Sequence, residues 1–233
     1  MNCAARRAQR EGHVHALIAS GAGRYADPWH PLTETSAALA RVLEADGWTT
    51  RVSLDVDAAL QQLSGVDLLV VNAADPWRNG ETGFGAPEAA QAGLAGAIDR
   101  GIGILCMHSA VTSLRDYAPW AAAVGAVWLP TISGHPPIGP ATITPRQSEL
   151  TAGLEPFELV DERYLDLQFI GEHTPVADND ADGRRYPVAW VRTHGPARVA
   201  VDLLGHDPRS YEAGGHVELI QRLARWAGAR END

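Results

Sequence analysis

Apolar and polar positions divide the chain into two halves of different rhythm. Up to Gly125, short apolar runs alternate with segments of helical spacing. Residues 14–20 predict a first strand that runs into glycines. Leu39, Val42 and Leu43 then recur at helical spacing between Thr33, a candidate N-cap, and Gly47, a stop signal. Residues 49–54 predict a second strand and 56–63 a short helix. Residues 67–72 are apolar almost without a break, as a strand buried on both faces requires. A loop rich in Gly, Pro and Trp (74–86) precedes Pro87, which suits the first turn of a helix reaching Arg100. Residues 101–107 predict a fourth strand and 109–124 the helix after it. This alternation predicts an α/β fold with a parallel, doubly wound sheet. Beyond Gly125 the pieces are short and β-rich, at 141–144, 157–167, 187–192 and 198–204, with turn signals at Asp182-Gly183 and His194-Gly195-Pro196. They predict an antiparallel, β-rich extension in the C-terminal half of one domain spanning 13–230, with 1–12 as a frayed tail. Residues 178–185 read as a polar hairpin tip. The last helix, 216–227, is expected to carry Val217, Ile220, Leu223 and Trp226 to the core.

Composition narrows the chemistry. A chain of 233 residues suffices for one large domain with a full core. Its net charge of −10 disfavours nucleic acid and anionic membrane as partners. No apolar run approaches the roughly 20 residues of a membrane helix. The arginines near the N-terminus have no apolar stretch behind them, so a secretory signal is not expected. The 2 cysteines, Cys3 and Cys106, suggest no disulfide framework, and a reduced cytoplasmic setting fits. All 19 basic residues are arginine. Without lysine there is no Schiff-base nucleophile, no pyridoxal phosphate attachment and no phosphate-loop lysine.

Candidate chemistry gathers at strand ends, where open α/β sheets place their ligands. Gly21-Ala-Gly23-Arg-Tyr-Ala26 matches a dinucleotide fingerprint, but Pro28 and Pro31 keep a helix from opening before about Leu32, and no NAD is expected. Tyr25, Asp27, Trp29 and His30 on that loop read as a pocket wall, or equally as a sheet cap and a solvated ring. His108 ends an apolar strand and is followed by a predicted helix, whose N–H groups should keep its imidazole neutral. Ser133-Gly-His135-Pro-Pro presents a further imidazole on a rigid loop. In Asp161-Glu162-Arg163-Tyr164, alternation pairs Glu162 with Tyr164 on one face; the alternative is a solvated edge strand. His206-Asp207 follows the strand at 198–204, with Asp207 and Glu212 near enough in sequence to orient it. Four histidines and a carboxylate suggest a metal site, although no short ligand spacing marks one. Cys106 lies within a strand and is not expected to act as a nucleophile.

Taken together, Asp27-Pro-Trp-His30, residues 67–72, Leu105-Cys-Met-His108-Ser-Ala110, Ser133-Gly-His135-Pro-Pro-Ile-Gly139, Val160-Asp-Glu162-Arg-Tyr164, Pro187-Val-Ala-Trp190-Val-Arg192 and Leu204-Gly-His206-Asp207 resemble the trehalose-utilisation (ThuA-like) family. The resemblance spans 13–228. It implies a flavodoxin-like sheet of the class I glutamine-amidotransferase kind. Where true amidotransferases carry a nucleophilic cysteine in G-x-C-x-G, Cys106-Met-His108-Ser-Ala110 puts His108, so glutamine hydrolysis is not expected. The resemblance implies catabolism of trehalose or a related keto-disaccharide. It assigns His108, His206 and Glu162 as catalytic, and His108, His135 and His206 as ligands of zinc or another divalent ion. Trp29, His30, Tyr25, Asp75 and Ser109 become the residues that meet a saccharide. The chemistry expected is that of a sugar isomerase, lyase or hydrolase. A noncatalytic sugar-binding module is the alternative, and a homo-oligomer is compatible with either.

Overall fold

The computed structural model describes residues 14–75, 85–181 and 183–228. The predicted N-terminal tail, Cys3, most of the loop at 74–86 and Asp182 of the hairpin tip lie outside the described residues. The strands are β1 His15–Ser20, β2 Thr49–Ser53, β3 Leu68–Asn72, β4 Gly103–Met107, β5 Ala126–Val127, β6 Gly139–Pro145, β7 Phe157–Asp161, β8 Gln168–Phe169, β9 Thr174–Ala181, β10 Arg184–His194 and β11 Ala197–Asp202. The helices are α1 Leu32–Ala45, α2 Val56–Gln61, α3 Glu88–Asp99, α4 Trp120–Val124 and α5 Gly214–Gly228.

Nine strands form one sheet in the order β2-β1-β3-β4-β11-β10-β9-β6-β7. The first five are parallel to one another, and from β10 onward each neighbour is antiparallel. The sheet is thus flavodoxin-like at one end and β-rich at the other. The fifth parallel strand is β11, which returns from the far end of the chain to pair with β4.

Period-2 alternation explains the continuous apolar runs. Leu17, Leu69, Val71, Ile104, Cys106 and Val201 face one layer with α2, α3 and α4. Their neighbours Ile18, Leu68, Val70, Leu105 and Ala200 face the other with α1 and α5. Both faces are covered, so every residue of β3 and β4 is buried.

Several elements differ from expectation. Thr33 lies inside α1, whose N-cap position is Pro31. A buried asparagine, not a cap, anchors that end. Asn72 at the tip of β3 donates through Nδ2 to Thr35 Oγ1 and Ser36 Oγ, both at 2.9 Å, and to the Leu32 carbonyl at 3.3 Å. The helix expected over 109–124 is a 3-10 turn, His108–Thr112, followed after a break by α4. Pro119 enters only at the start of α4, so no continuous helix forms. In α5, Leu219, Ile220, Leu223 and His216 are buried, whereas Val217 and Trp226 are half-buried at the flank of the apolar stripe. Residues 178–181 are strand, not tip: Asp178 is buried in β9, and Arg146 pairs with its carboxylate at 2.7 and 2.9 Å.

Asn72→Ala should leave the buried Thr35 and Ser36 hydroxyl oxygens without their donor at the start of α1, while the Leu32 carbonyl keeps the Ser20 and Thr35 hydroxyls. Urea denaturation is expected to show a loss of about 2 kcal/mol. A loss below ~0.5 kcal/mol would mean that this anchor is not what fixes the helix.

Candidate functional site

Four strand ends deliver the site. After β1, the chain turns back at Gly21, where a Cβ would lie 2.3 Å from the Tyr25 carbonyl and 2.5 Å from Leu32 Cδ1; only glycine allows that approach. Asp27 then closes an Asx turn, accepting the N–H groups of Trp29 at 3.0 Å and His30 at 2.8 Å through Oδ1. Its Oδ2 meets His30 Nδ1 at 2.7 Å, which fixes the ring.

After β4 comes His108, at φ +42°, a left-handed conformation costly for a residue with a Cβ. The elbow turns the imidazole under the sheet edge, where Nδ1 bonds the Leu203 carbonyl at 2.7 Å. His206 follows β11, and the β11 register sets Asp202 beside Met107, so the two histidines emerge side by side. Glu162 follows β7.

The rings meet. Centroids of His30 and His108 lie 5.0 Å apart, His30 and His206 4.7 Å, and His108 and His206 5.4 Å. Glu162 Oε2 is 3.5 Å from His108 Nε2, and Oε1 is 4.0 Å from His206 Nε2 and 2.9 Å from His135 Nδ1. One ligand atom from each of His30, His108, Glu162 and His206 can be chosen so that all lie within 4.8 Å of one another. His30 Nε2, His108 Nε2 and His206 Nδ1 are buried with no hydrogen-bond partner.

This donor set fits a divalent cation. His30 and His108 each engage a carboxylate or carbonyl through Nδ1 and leave Nε2 bare, the arrangement that orients an imidazole toward a metal. Three imidazoles and a carboxylate are zinc donors. His135 is not in the set; it packs on Glu162 from outside with a side chain 38% exposed.

The charges are coupled. Burial opposes a proton on His108, but Glu162, Asp161 and the Leu203 carbonyl outweigh it and raise its pKa. The helix expected to supply N–H groups beside the ring is absent: only a 3-10 turn follows, and a carboxylate, that of Glu162, faces the imidazole instead. Burial and the neighbouring His108 and His30 lower the pKa of His206. Burial would raise that of Glu162, yet His108, His135 and His206 hold it below the usual range.

Above these groups lies a cavity of about 190 Å³. Trp29, Trp128 and Tyr164 give it aromatic walls, and Asp27, Asp75, Ser109 and Thr112 add polar groups. Trp29 is 56% exposed and forms the rim. Ser109 is held by the Ala73 carbonyl at 3.1 Å, and Asp75 by Arg115 at 2.8 Å. Tyr25 does not line the cavity. It is buried among α2 and α3 residues, and its hydroxyl donates to Asp57 at 2.6 Å. The solvated-edge alternative for residues 161–164 also fails, because Asp161, Glu162 and Tyr164 are all buried. Sequence reasoning missed Asp27 as the partner of His30, and Thr112 and Trp128 as cavity wall. The i,i+3 spacing of Asp27 and His30 was the available signal.

Beneath His206, Ser210 Oγ lies 2.9 Å from His216 Nδ1, and His216 Nε2 lies 3.0 Å from Asp202 Oδ2. The trio has the composition of a hydrolase triad. All three are fully buried, so it is a structural bracket and no substrate reaches it.

A search of protein families matches the family described as trehalose utilisation over residues 15–227. Among solved structures, a protein described as ThuA-like from Parabacteroides merdae superposes with TM-score 0.76 at 16% identity, covering 94% of this chain and 91% of its own. A second ThuA-like protein, from Bacteroides uniformis, gives 0.70 at 15%, covering 92% and 91%. A protein from Thermoplasma acidophilum, described as one component of a GMP synthase, gives 0.54 at 15%, covering 93% and 94%. At such identities the likeness to these structures is one of fold. No curated protein matches the chain in sequence.

The bracket makes stability depend on pH. Burial opposes a charge on His216, but Asp202, Asp161 and the Ser210 carbonyl raise its pKa above 6.5 in the folded protein. Its contribution is therefore full below about pH 6.5 and is lost as pH rises through the raised value. The Tm gap between wild type and Asp202→Asn should narrow as pH is raised across that window. A gap independent of pH would contradict the charged pair.

Proposed function

The chain belongs to the trehalose-utilisation (ThuA) family, and on that premise we propose that it chemically modifies a sugar at the histidine-lined floor of its cavity. Family membership gives it a role in sugar utilisation in general. The substrate proposed is trehalose or a related keto-disaccharide, and the reaction is metal-assisted or imidazole acid–base chemistry. The observation that carries this reading is the convergence of His30, His108, Glu162 and His206 with unpartnered buried ring nitrogens under an aromatic-walled cavity.

The walls suit a carbohydrate. Trp29, Trp128 and Tyr164 offer apolar faces to sugar C–H groups, while Asp75, Ser109 and Thr112 offer partners to hydroxyls. His30, His108, His206 and Glu162 would hold zinc or a similar ion, which when bound supplies Lewis-acid polarisation of a sugar carbonyl. Asp27 and the Leu203 carbonyl keep the His30 and His108 rings turned for that task. Glu162 Oε1, between His135 and His206, would be the atom to take a proton from a hydroxyl or from carbon beside a carbonyl. His135 is exposed enough to pass that proton to solvent.

Two features argue against amidotransferase chemistry. His108 stands where the nucleophile would be. The nearby Cys106 is fully buried, with its thiol pushed well above its usual pKa by burial. A reduced, cytoplasmic compartment is proposed from the same free thiol.

Elemental analysis of the purified protein should find about one equivalent of zinc or manganese. His108→Ala should retain its fold by circular dichroism, lose the metal and reduce sugar turnover at least ~100-fold. An unchanged turnover rate in His108→Ala would overturn this function. Saccharide binding without turnover in the wild type would favour a binding module instead. Trp29→Ala should weaken sugar binding by about tenfold while leaving metal content unchanged.

A further inference from the structure

Glu162 and His206 sit on strands far apart in the sheet. β7 is an edge strand, separated from β11 by β10, β9 and β6. The hydrogen-bond ladder therefore does not by itself fix the gap between the two side chains. The last residue of β7 does. Asp161 is fully buried, and each carboxylate oxygen accepts two donors. Oδ1 takes the N–H groups of Glu162 at 2.8 Å and His206 at 3.1 Å. Oδ2 takes the Gly205 N–H at 2.8 Å and the Ser210 hydroxyl. Ser210 in turn touches His216, His216 is bound to Asp202, and Asp202 Oδ1 accepts the Leu204 N–H at 2.9 Å. Two buried carboxylates thus hold the turn after β11 from both sides.

We propose that Asp161 is a positioning residue: its carboxylate ties the backbones of Glu162 and His206 together so that their side chains converge on one metal ion, with Ser210, His216 and Asp202 bracing it from behind. This rests on the reading that the cluster binds a metal. The chemistry requires an aspartate. Asparagine in either orientation would turn its NH2 toward a backbone N–H, because each oxygen position already faces one. The cost would appear at the site, since a partner behind a ligand typically changes metal affinity by ~10–100-fold.

The test compares full-length wild type, Asp161→Asn, Ser210→Ala and Asp178→Asn. Asp178 is equally buried but pairs with Arg146, away from the cluster, and so reports general destabilisation. Zinc affinity is read by competition titration and ligand geometry by the absorption spectrum of bound Co²⁺. Asp161→Asn should bind zinc ~10–100-fold more weakly and change the Co²⁺ spectrum, Ser210→Ala should do so to a smaller extent, and Asp178→Asn should lower Tm alone. If Asp161→Asn does not fold, Ser210→Ala decides. Zinc affinity within about twofold of wild type, with an unaltered Co²⁺ spectrum, would overturn the proposal. A wild type that takes up no zinc defeats the metal reading separately. Amide exchange at Glu162, Gly205 and His206 then decides: faster exchange in Asp161→Asn but not in Asp178→Asn supports positioning, and unchanged exchange overturns it.

Discussion

The site depends on the parallel pairing of β11 with β4. Between these strands the chain runs through the whole antiparallel extension, yet their register places Asp202 beside Met107, and so His206 beside His108. The pairing is non-local and costs loop-closure entropy before it gains any contact. What offsets that cost is burial: Val199 and Val201 join one apolar layer and Ala200 the other, each completely covered. A slip of one residue would turn these positions onto the wrong faces and separate the histidines, so core and site specify the same register.

Stability is sacrificed for geometry around this junction. His108 occupies a left-handed backbone, three ring nitrogens are buried without hydrogen bonds, and Asp161 and Asp202 are carboxylates with no exposure. Each is unfavourable alone. Their clustering at one sheet edge, beneath one cavity, is the signature expected of a functional centre, where strain and unsatisfied groups collect. Asp161 and Asp202 show how such charges are tolerated: backbone N–H groups, a hydroxyl and an imidazole stand in for water.

Much of this was legible in the sequence, for identifiable reasons. β1, β3 and β4 announce themselves because burial on both faces demands unbroken apolar runs, whereas β2 is a largely exposed edge strand. His108 and His206 stand out because polar residues end those runs. The strand expected over 157–167 ends at Asp161, so Glu162 and Tyr164 reach the cavity from the loop after β7 and not through period-2 alternation. Other features had no local signal. β9 carries Asp178 and Asn179 in its buried run, which disguised it as a polar tip. Tyr25 lies on a site loop, but nothing in the sequence shows that its hydroxyl turns away toward Asp57, 32 residues on. The replacement of His135 by His30 in the metal-capable set depends on how loops cross above the sheet, which spacing cannot reveal. The bracket of Asp161, Ser210, His216 and Asp202 is likewise purely tertiary.

The fold is similar to that of a protein described as one component of a GMP synthase, and here the elbow after β4 carries His108. That elbow aims its imidazole at the other three donors, His30, Glu162 and His206. The most direct test is an anomalous difference map from crystals of the zinc-loaded protein, recorded on both sides of the zinc edge. The account predicts one peak bounded by His30, His108, Glu162 and His206, with ligand distances of about 2.0–2.2 Å. A peak elsewhere, or none in protein that contains stoichiometric zinc, would contradict it.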